Sequence, residues 1–172
     1  LALREERCKG FEGLTIDVKE MMALVRSAGQ EGALSALAYM HLNSNAFETT
    51  AEQAEQTARR VIASDPKDAL ALDYATTYMS RQLMVRAPGM GFEDVTAAYA
   101  LAVCEIAGTC GFQSDYLRRI NDLYGQDFAT VEDAYKVLFN GDGQLERIRS
   151  LAQGIRTALL SRNEAYFGLA SR

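Results

Sequence analysis

Apolar residues recur through most of this 172-residue chain at the three- and four-residue spacing of an amphipathic helix. No segment of any length shows the two-residue alternation of a half-buried strand. The clearest helical stripe lies near the C-terminus, where six apolar residues share one face: Leu145, Ile148, Leu151, Ala152, Ile155 and Leu159. The pattern therefore predicts an all-α protein of about seven or eight helices.

Helix-capping residues locate several of the predicted helix starts. Asp17 with Glu20, and Thr50 with Gln53, have the spacing of a capping box, in which two side chains bond each other's backbone N–H groups. Thr130 is a suitable N-cap for another, short helix. Three helices are therefore expected to begin just after residues 17, 50 and 130.

The most apolar helix is predicted over residues 92–107, where apolar residues cover most of the circumference. Such a helix is usually buried, so we expect it at the centre of the fold. A last long helix is predicted over residues 144–161, with Arg149 and Arg156 facing solvent. Residues 162–172 are expected to fray.

A sharp turn is predicted at Asp65 and Pro66, between two apolar stripes. Asp65 is a favourable N-cap, and a proline at the first helical position gives up no hydrogen bond. The next helix should run from Pro66 to about Leu83, because the residue before Pro88 avoids helical geometry. Two helices therefore meet at this turn, each with one apolar face to bury.

Two stretches resemble known helical repeats. The D-P-x-x-A step at residues 65–69 resembles the junction between tetratricopeptide-type (TPR) repeats. Residues 24–42, LVRSAGQEGALSALAYMHL, resemble a Sel1-like repeat, in which a junction of small residues joins two helices. Ala33 and Ala69 open equivalent helices 36 residues apart, which is near the period of these families.

The resemblance covers residues 18–107 and implies a TPR/Sel1-like right-handed array of antiparallel helical hairpins. Residues 108–172 would then form a C-terminal helical extension of the same single all-α domain, residues 1–172. Without the resemblance, a generic helical bundle explains the same pattern.

The composition is that of an ordinary soluble globular protein, with 48% hydrophobic and 24% charged residues. A net charge of −5 argues against nucleic acid or an anionic membrane surface as partners, because binding phosphates needs a positive surface. No apolar run approaches the ~20 residues that cross a bilayer, so we expect no membrane span.

Three cysteines leave at least one thiol free or paired between chains. A disulfide between Cys104 and Cys110 is feasible, because Gly108 lets the chain leave a helix and turn back. The alternatives are two small buried thiols or, with no further ligand nearby, a metal site. We favour the disulfide, with Cys8 as the free thiol.

The run CEIAGTCG at residues 104–111 is similar to one that follows Sel1-like stretches in small, uncharacterised exported bacterial proteins. This resemblance and the disulfide both favour an exported, periplasmic location over the cytoplasm. The chain begins at Leu1 rather than Met, as a processed precursor or a shortened chain would both do.

Motifs for cofactors are absent from the sequence: there is no G-x-G-x-x-G, no Walker loop and no Cys-x-x-Cys. We therefore predict no cofactor. The single histidine, His41, has no partner at a catalytic or metal-binding spacing, so we interpret it as a helix C-terminal histidine favoured by the local dipole. No catalytic or metal-ligating residue is predicted.

Carboxylates are numerous, but most stand in the first turn of a predicted helix, where acids are favoured electrostatically. Glu93 and Asp94 lie beside the glycine-containing loop from Arg86 to Gly91. They carry the alternative hypothesis for function, an all-α hydrolase directed at a glycan, in which two carboxyl groups share the acid–base work.

The leading hypothesis is a non-enzymatic helical scaffold that binds a protein or peptide segment. Its candidate binding residues are three tyrosines and three residues near the glycine-containing loop: Tyr39, Tyr74, Tyr78, Arg86, Met90 and Phe92. Tyrosine rings suit a binding groove, but they equally suit the seams between helices. A third hypothesis, a structural subunit of a larger assembly, predicts a large exposed apolar patch. The identity of the partner and the oligomeric state stay open.

Overall fold

A computed structural model of the chain describes residues 17–65, 68–111 and 115–169. All regular structure in these three ranges is helical, and they contain no strand. The predicted all-α class is therefore confirmed. Within the same ranges, no helix is both long and apolar enough to cross a membrane.

The described part of the N-terminal half contains five α-helices: α1 (Val18–Gln30), α2 (Leu34–Ala38), α3 (Ala51–Ala63), α4 (Ala69–Tyr74) and α5 (Thr76–Leu83). A π-helical turn, Tyr39–Asn43, continues α2, and a 3₁₀ turn, Met84–Arg86, continues α5. Helix α2 contacts α1, α3 and α4, so it packs among these three helices.

Among the residues that the structure describes, the C-terminal half contains four α-helices: α6 (Phe92–Ala107), α7 (Asp115–Tyr124), α8 (Val131–Leu138) and α9 (Gln144–Leu160). A 3₁₀ turn, Glu164–Phe167, follows α9. Helix α6 packs most extensively on α9 and also contacts α4 and α5. Val95, Ala98 and Tyr99 on α6 are fully buried, so this helix lies at the centre of the fold, as predicted.

Capping interactions explain where the helices begin. The Asp17 carboxylate accepts a hydrogen bond of 2.8 Å from the Lys19 backbone N–H. Thr50 and Gln53 bond each other's backbone N–H groups at 2.9 and 3.2 Å. Thr130 caps α8 through its side chain. The three predicted helix starts are confirmed, because each depends only on local side-chain chemistry. At the first of them Asp17 caps the helix as predicted, but the expected return bond from Glu20 is not formed.

The helix after the predicted turn begins later than expected. Helix α4 starts at Ala69, and the Asp68 carboxylate caps it by accepting a hydrogen bond of 3.2 Å from the Ala71 backbone N–H. Pro66 lies outside the described residues. The expectation that Asp65 caps this helix is therefore corrected to Asp68, an identical side chain three residues further along the chain.

The predicted helix over residues 66–83 is also interrupted, because α4 ends at Tyr74 and α5 begins at Thr76. At this break, the Thr76 hydroxyl donates a hydrogen bond of 2.6 Å to the Asp73 carbonyl. A threonine hydroxyl that bonds a nearby carbonyl competes with the helical backbone ladder, which accounts for the interruption.

One hydrophobic cluster includes residues from Ala38 to Leu169. The C-terminal turn, which we define as residues 163–169, belongs to this cluster through Phe167 and Leu169, which are 0% and 3% exposed. The prediction that the end of the chain frays is therefore wrong as far as Leu169. Burial of two large apolar side chains outweighs the entropy gained by releasing so short a segment.

Candidate functional site

Two of the six predicted binding residues form an aromatic cluster in the N-terminal half. The rings of Tyr39 and Tyr74 meet edge to face, with their centroids 5.2 Å apart. Phe47 packs against Tyr39 at 6.4 Å, and the Arg26 guanidinium lies 5.6 Å from the centre of the Phe47 ring. The cluster joins the π-helical turn to α4, so these tyrosines form a seam between helices.

Of the other predicted residues, Arg86 lies beside the C-terminal turn, and Tyr78 lies on the helix α5, which contacts that turn. Arg86 donates a hydrogen bond of 2.7 Å to the Ala165 carbonyl, and its guanidinium stands 5.7 Å from the centre of the Tyr166 ring. Tyr78 lies on α5, and burial raises its pKa. Arg86 therefore already binds a segment of its own chain.

The last two predicted residues flank the start of α6. Phe92 is 41% exposed, and Met90 is partly buried against the hydrophobic cluster. The structure thus divides the six residues among three places instead of bringing them into one site. Their role in binding stays a prediction.

The carboxylate pair of the hydrolase hypothesis lies in the first turn of α6. The Asp94 carboxylate accepts hydrogen bonds from the Gly91 backbone N–H at 3.2 Å and from the Gln144 side chain at 2.8 Å. Asp94 therefore caps α6 and links it to α9. The hydrolase hypothesis stays a prediction.

His41 lies in the π-helical turn and forms a hydrogen bond of 2.8 Å between its Nδ1 and the buried Thr57 hydroxyl. Burial, followed by the nearby Arg60 charge, lowers the pKa of His41. In the described part of the chain, no group of three or more His, Cys, Asp or Glu side chains is placed to hold a metal ion. His41 thus contributes to the packing of α2 on α3.

Cys104 and Cys110 form a disulfide, with their Cα atoms 4.9 Å apart. Gly108 turns the chain there with a φ of 68°, as the sequence predicted. The bond holds the loop after α6 against the helix end, and the Cys110 carbonyl accepts a hydrogen bond of 3.3 Å from the Val131 backbone N–H. The disulfide therefore also positions the start of α8. Cys8 lies outside the described residues.

An exposed apolar stripe runs along α1. Val18, Met21 and Leu24 recur every three residues and are 63%, 39% and 69% exposed. An exposed stripe of this kind is what the assembly hypothesis requires. Under that hypothesis, contact with another subunit would be expected on this face of α1.

A groove of about 300 Å³ lies between α6, α8 and α9. Its floor is apolar and its rim is polar or charged, and eight residues line it: Leu101, Glu105, Glu132, Tyr135, Leu145, Arg149, Gln153 and Arg156. None of the six predicted binding residues is among them. Sequence reasoning therefore missed this site, which we call the α6–α8–α9 groove.

Helical spacing explains how the groove is lined. Arg149, Gln153 and Arg156 are four and three residues apart on α9, so they stand in a row on one side of that helix. Helices α6 and α8 each add an acidic and an apolar or aromatic residue with the same kind of spacing. The row on α9 is visible in the sequence, but there it has the pattern of any solvated helix face.

The charges around the groove are only partly paired. Arg149 donates a hydrogen bond of 2.6 Å to Glu132, whose carboxylate is also 3.4 Å from the Lys136 ammonium. Among the described residues, neither Arg156 nor Glu105 takes part in an ion pair. The donors of the Arg156 guanidinium are therefore open to a ligand, with an acidic side chain elsewhere on the rim.

Tyr135 supplies part of the floor. Its buried hydroxyl donates a hydrogen bond of 2.9 Å to the Ala97 carbonyl and is also bonded to the Tyr116 hydroxyl. Burial raises the pKa of Tyr116 to about 12 and raises the pKa of Tyr135 as well. Both rings stay neutral near pH 7, so Tyr135 offers the groove an apolar surface rather than an acid or a base.

No protein-family model matches the chain, and no curated protein or solved structure matches it either. The TPR and Sel1-like resemblance therefore stays a prediction. A function for the groove has to be inferred from its own lining.

Proposed function

We propose that the protein is a non-enzymatic helical scaffold that binds a protein or peptide segment in the α6–α8–α9 groove. The observation that carries this proposal is the exposed Arg156, without an ion pair among the described residues, beside the apolar floor of Leu101 and Leu145. Binding sites commonly combine an apolar surface with a few polar groups that fix the orientation of the ligand.

The lining indicates what the bound segment presents. A guanidinium matches a carboxylate in geometry and charge, so Arg156 favours an acidic side chain or a chain terminus. Gln153 adds an amide next to it on the same side of α9. A volume of about 300 Å³ is at the small end for ligand sites, so the groove takes one or two side chains. The expected partner segment carries an acidic residue next to an apolar one.

The fold of the N-terminal half is part of the proposal. A TPR/Sel1-like right-handed array over residues 18–107 would present α6 as its last helix and leave it free to pack on α9. The contacts of α2 with α1, α3 and α4 support stacked hairpins of this kind. The same contacts are compatible with the alternative, a generic helical bundle.

An exported, periplasmic location is supported by the Cys104–Cys110 disulfide, because such bonds persist in oxidising compartments and are rare in the cytosol. Alkylation of protein from its native source without reductant, followed by intact-mass measurement, tests this location. One modified thiol agrees with export, and three modified thiols contradict it.

The binding proposal is tested by selecting peptides from a random library on the full-length protein and titrating the selected peptides. We expect them to share an acidic residue next to an apolar one. Arg156→Glu should weaken their binding at least about tenfold, since reversing one charge removes a charge-assisted bond and adds repulsion.

Arg147→Glu is the matched control for this experiment. Arg147 lies on the same helix and is exposed, but it does not line the groove. Its reversal should leave binding within about twofold, because the overall change in charge is the same. Equal losses in the two variants, or selected peptides without an acidic residue, would contradict the proposal.

A further inference from the structure

We propose that the C-terminal turn is an exchangeable peptide ligand, and that its docking face fits the same turn from a second copy of this chain. This inference concerns a different side of α9 from the α6–α8–α9 groove, and it does not depend on the proposed function. The three observations behind it are the recognition of the turn, its apolar anchors and its hinge.

Polar recognition of the turn resembles recognition of a peptide. Glu164 forms an ion pair of 2.5 Å with Arg59 on α3, across 105 residues of sequence. Arg86 bonds the Ala165 carbonyl and stands over the Tyr166 ring. We call the rest of the described chain the body. Its arginines Arg59 and Arg86 thus bind an acidic side chain, a backbone carbonyl and an aromatic ring of the turn.

Apolar anchors complete the docking. Phe167 and Leu169 are buried in the hydrophobic cluster. Tyr166 lies directly against α9 at Gly154, where the Cβ of any other residue would meet the Tyr166 hydroxyl. The body therefore offers a shaped face to a short segment, which inserts three ring or aliphatic side chains.

The hinge between α9 and the turn is strained. Arg162 has a φ of 55° and is the one non-glycine residue with positive φ in the described part of the chain. The Asn163 backbone N–H bonds the Ala158 carbonyl at 2.8 Å, which is the helix ending that normally places glycine at the position of Arg162. A side chain disfavours this geometry, whereas an extended hinge would return Arg162 to an ordinary conformation.

Exchange between copies would keep the side-chain contacts between body and turn. Extending the hinge would break the bond between Asn163 and Ala158 and release the strain at Arg162. The balance between closed monomer and exchanged dimer is then set by the hinge and by protein concentration. Opening exposes Phe167 and Leu169 to water, so the open form is a minor one and exchange is slow. A concentrated solution of the full chain should therefore accumulate dimer over hours to days.

Two full-length variants with complementary charges test the exchange directly. Arg59→Glu repels its own Glu164, and Glu164→Arg repels its own Arg59. In a mixture, an exchanged heterodimer restores an opposite-charge pair at both faces. Native mass spectrometry of an equimolar mixture should show at least about tenfold more heterodimer than either homodimer. A mixture that stays monomeric at about 1 mM would overturn the proposal.

The hinge gives a second measurement, which does not depend on disrupting the ion pair. Arg162→Gly removes the strain of the closed form and should lower the dimer fraction of the parent severalfold in size-exclusion chromatography with light scattering. Arg162→Lys keeps the strain and the charge, so its dimer fraction should match that of the parent. A dimer fraction that is unchanged by Arg162→Gly would contradict the role of the hinge.

Discussion

The two sides of α9 differ in what covers them. On one side, the row of Arg149, Gln153 and Arg156 borders an open groove. On the other side, the C-terminal turn packs against the helix at Gly154 and buries Phe167 in the core. One side of α9 is covered because Gly154 lets the Tyr166 ring approach the helix backbone and the next residue, Phe167, is buried in the core. We call this the closed side. The side with Arg149, Gln153 and Arg156 stays uncovered, because no buried apolar side chain from another segment packs over these long polar side chains. We call this the open side.

Because of this difference, substitutions on the two sides of α9 should affect different properties of the protein. Because the closed side buries large apolar side chains, substitutions there should change the free energy of unfolding. Because the open side presents exposed polar groups, substitutions there should leave that free energy almost unchanged and act on the ligand.

The largest effect is expected from Phe167→Ala. Removing a fully buried ring from the closed side should lower the free energy of unfolding by about 3–5 kcal/mol in urea titrations. Phe92→Ala is the control, because Phe92 is 41% exposed and should cost clearly less. Equal losses would mean that the C-terminal turn is not an integral part of the core.

A contrast within one turn of α9 should be nearly as large. Ile155 is fully buried, so Ile155→Ala should lower the free energy of unfolding by roughly 2–5 kcal/mol. Arg156 is its exposed neighbour on the groove side, and Arg156→Ala should change the free energy of unfolding by no more than about 0.5 kcal/mol. If thermal unfolding showed a large loss for Arg156→Ala, the groove side would be part of the packing of α9 rather than a surface for a ligand.

An intermediate effect is expected from Gly154→Ala. Alanine normally stabilises a helix interior relative to glycine. Here its Cβ would meet the Tyr166 hydroxyl, so we expect the free energy of unfolding to fall by about 1 kcal/mol. In a Tyr166→Phe background, the closest atom is gone and the loss should shrink. A double-mutant cycle measures this coupling, and strictly additive energies would refute the contact.

The smallest effect is expected at alkaline pH. Burial raises the pKa of Tyr166 above its ordinary value of 10.0, so the folded protein holds this proton more tightly than the unfolded chain does. The resulting stabilisation is complete below pH 10 and is lost as the pH rises through the folded-state pKa. The difference in unfolding free energy between the parent and Tyr166→Phe should therefore fall above pH 10. A constant difference would place Tyr166 in solvent.

Local signals in the sequence predicted much of the fold. The caps at Thr50 and Thr130 and the bounds of α6 follow from short-range chemistry and from apolar spacing, which do not require knowledge of the partner helices. The Cys104–Cys110 disulfide was the favoured one of three interpretations, because Gly108 allows the chain to turn back.

The remaining features depend on residues that are far apart in the sequence. Asp65 and Asp68 are equally good caps on their own, so local chemistry cannot choose between them. The docking of Tyr166 requires Arg86, 80 residues away, and a glycine on another element. The groove exists only because three helices meet around Arg156, whose own surroundings in sequence are those of an ordinary solvated helix face.

An exchange of charge between protein and peptide tests binding in the α6–α8–α9 groove most directly. A peptide selected on the parent protein should lose at least about tenfold in affinity for Arg156→Glu in calorimetric titration. Replacing the acidic residue of that peptide by lysine should restore binding to Arg156→Glu and abolish it for the parent, because the ion pair is then reversed. If the lysine peptide binds the parent and Arg156→Glu equally well, Arg156 does not read the ligand's charge and the proposed site is wrong.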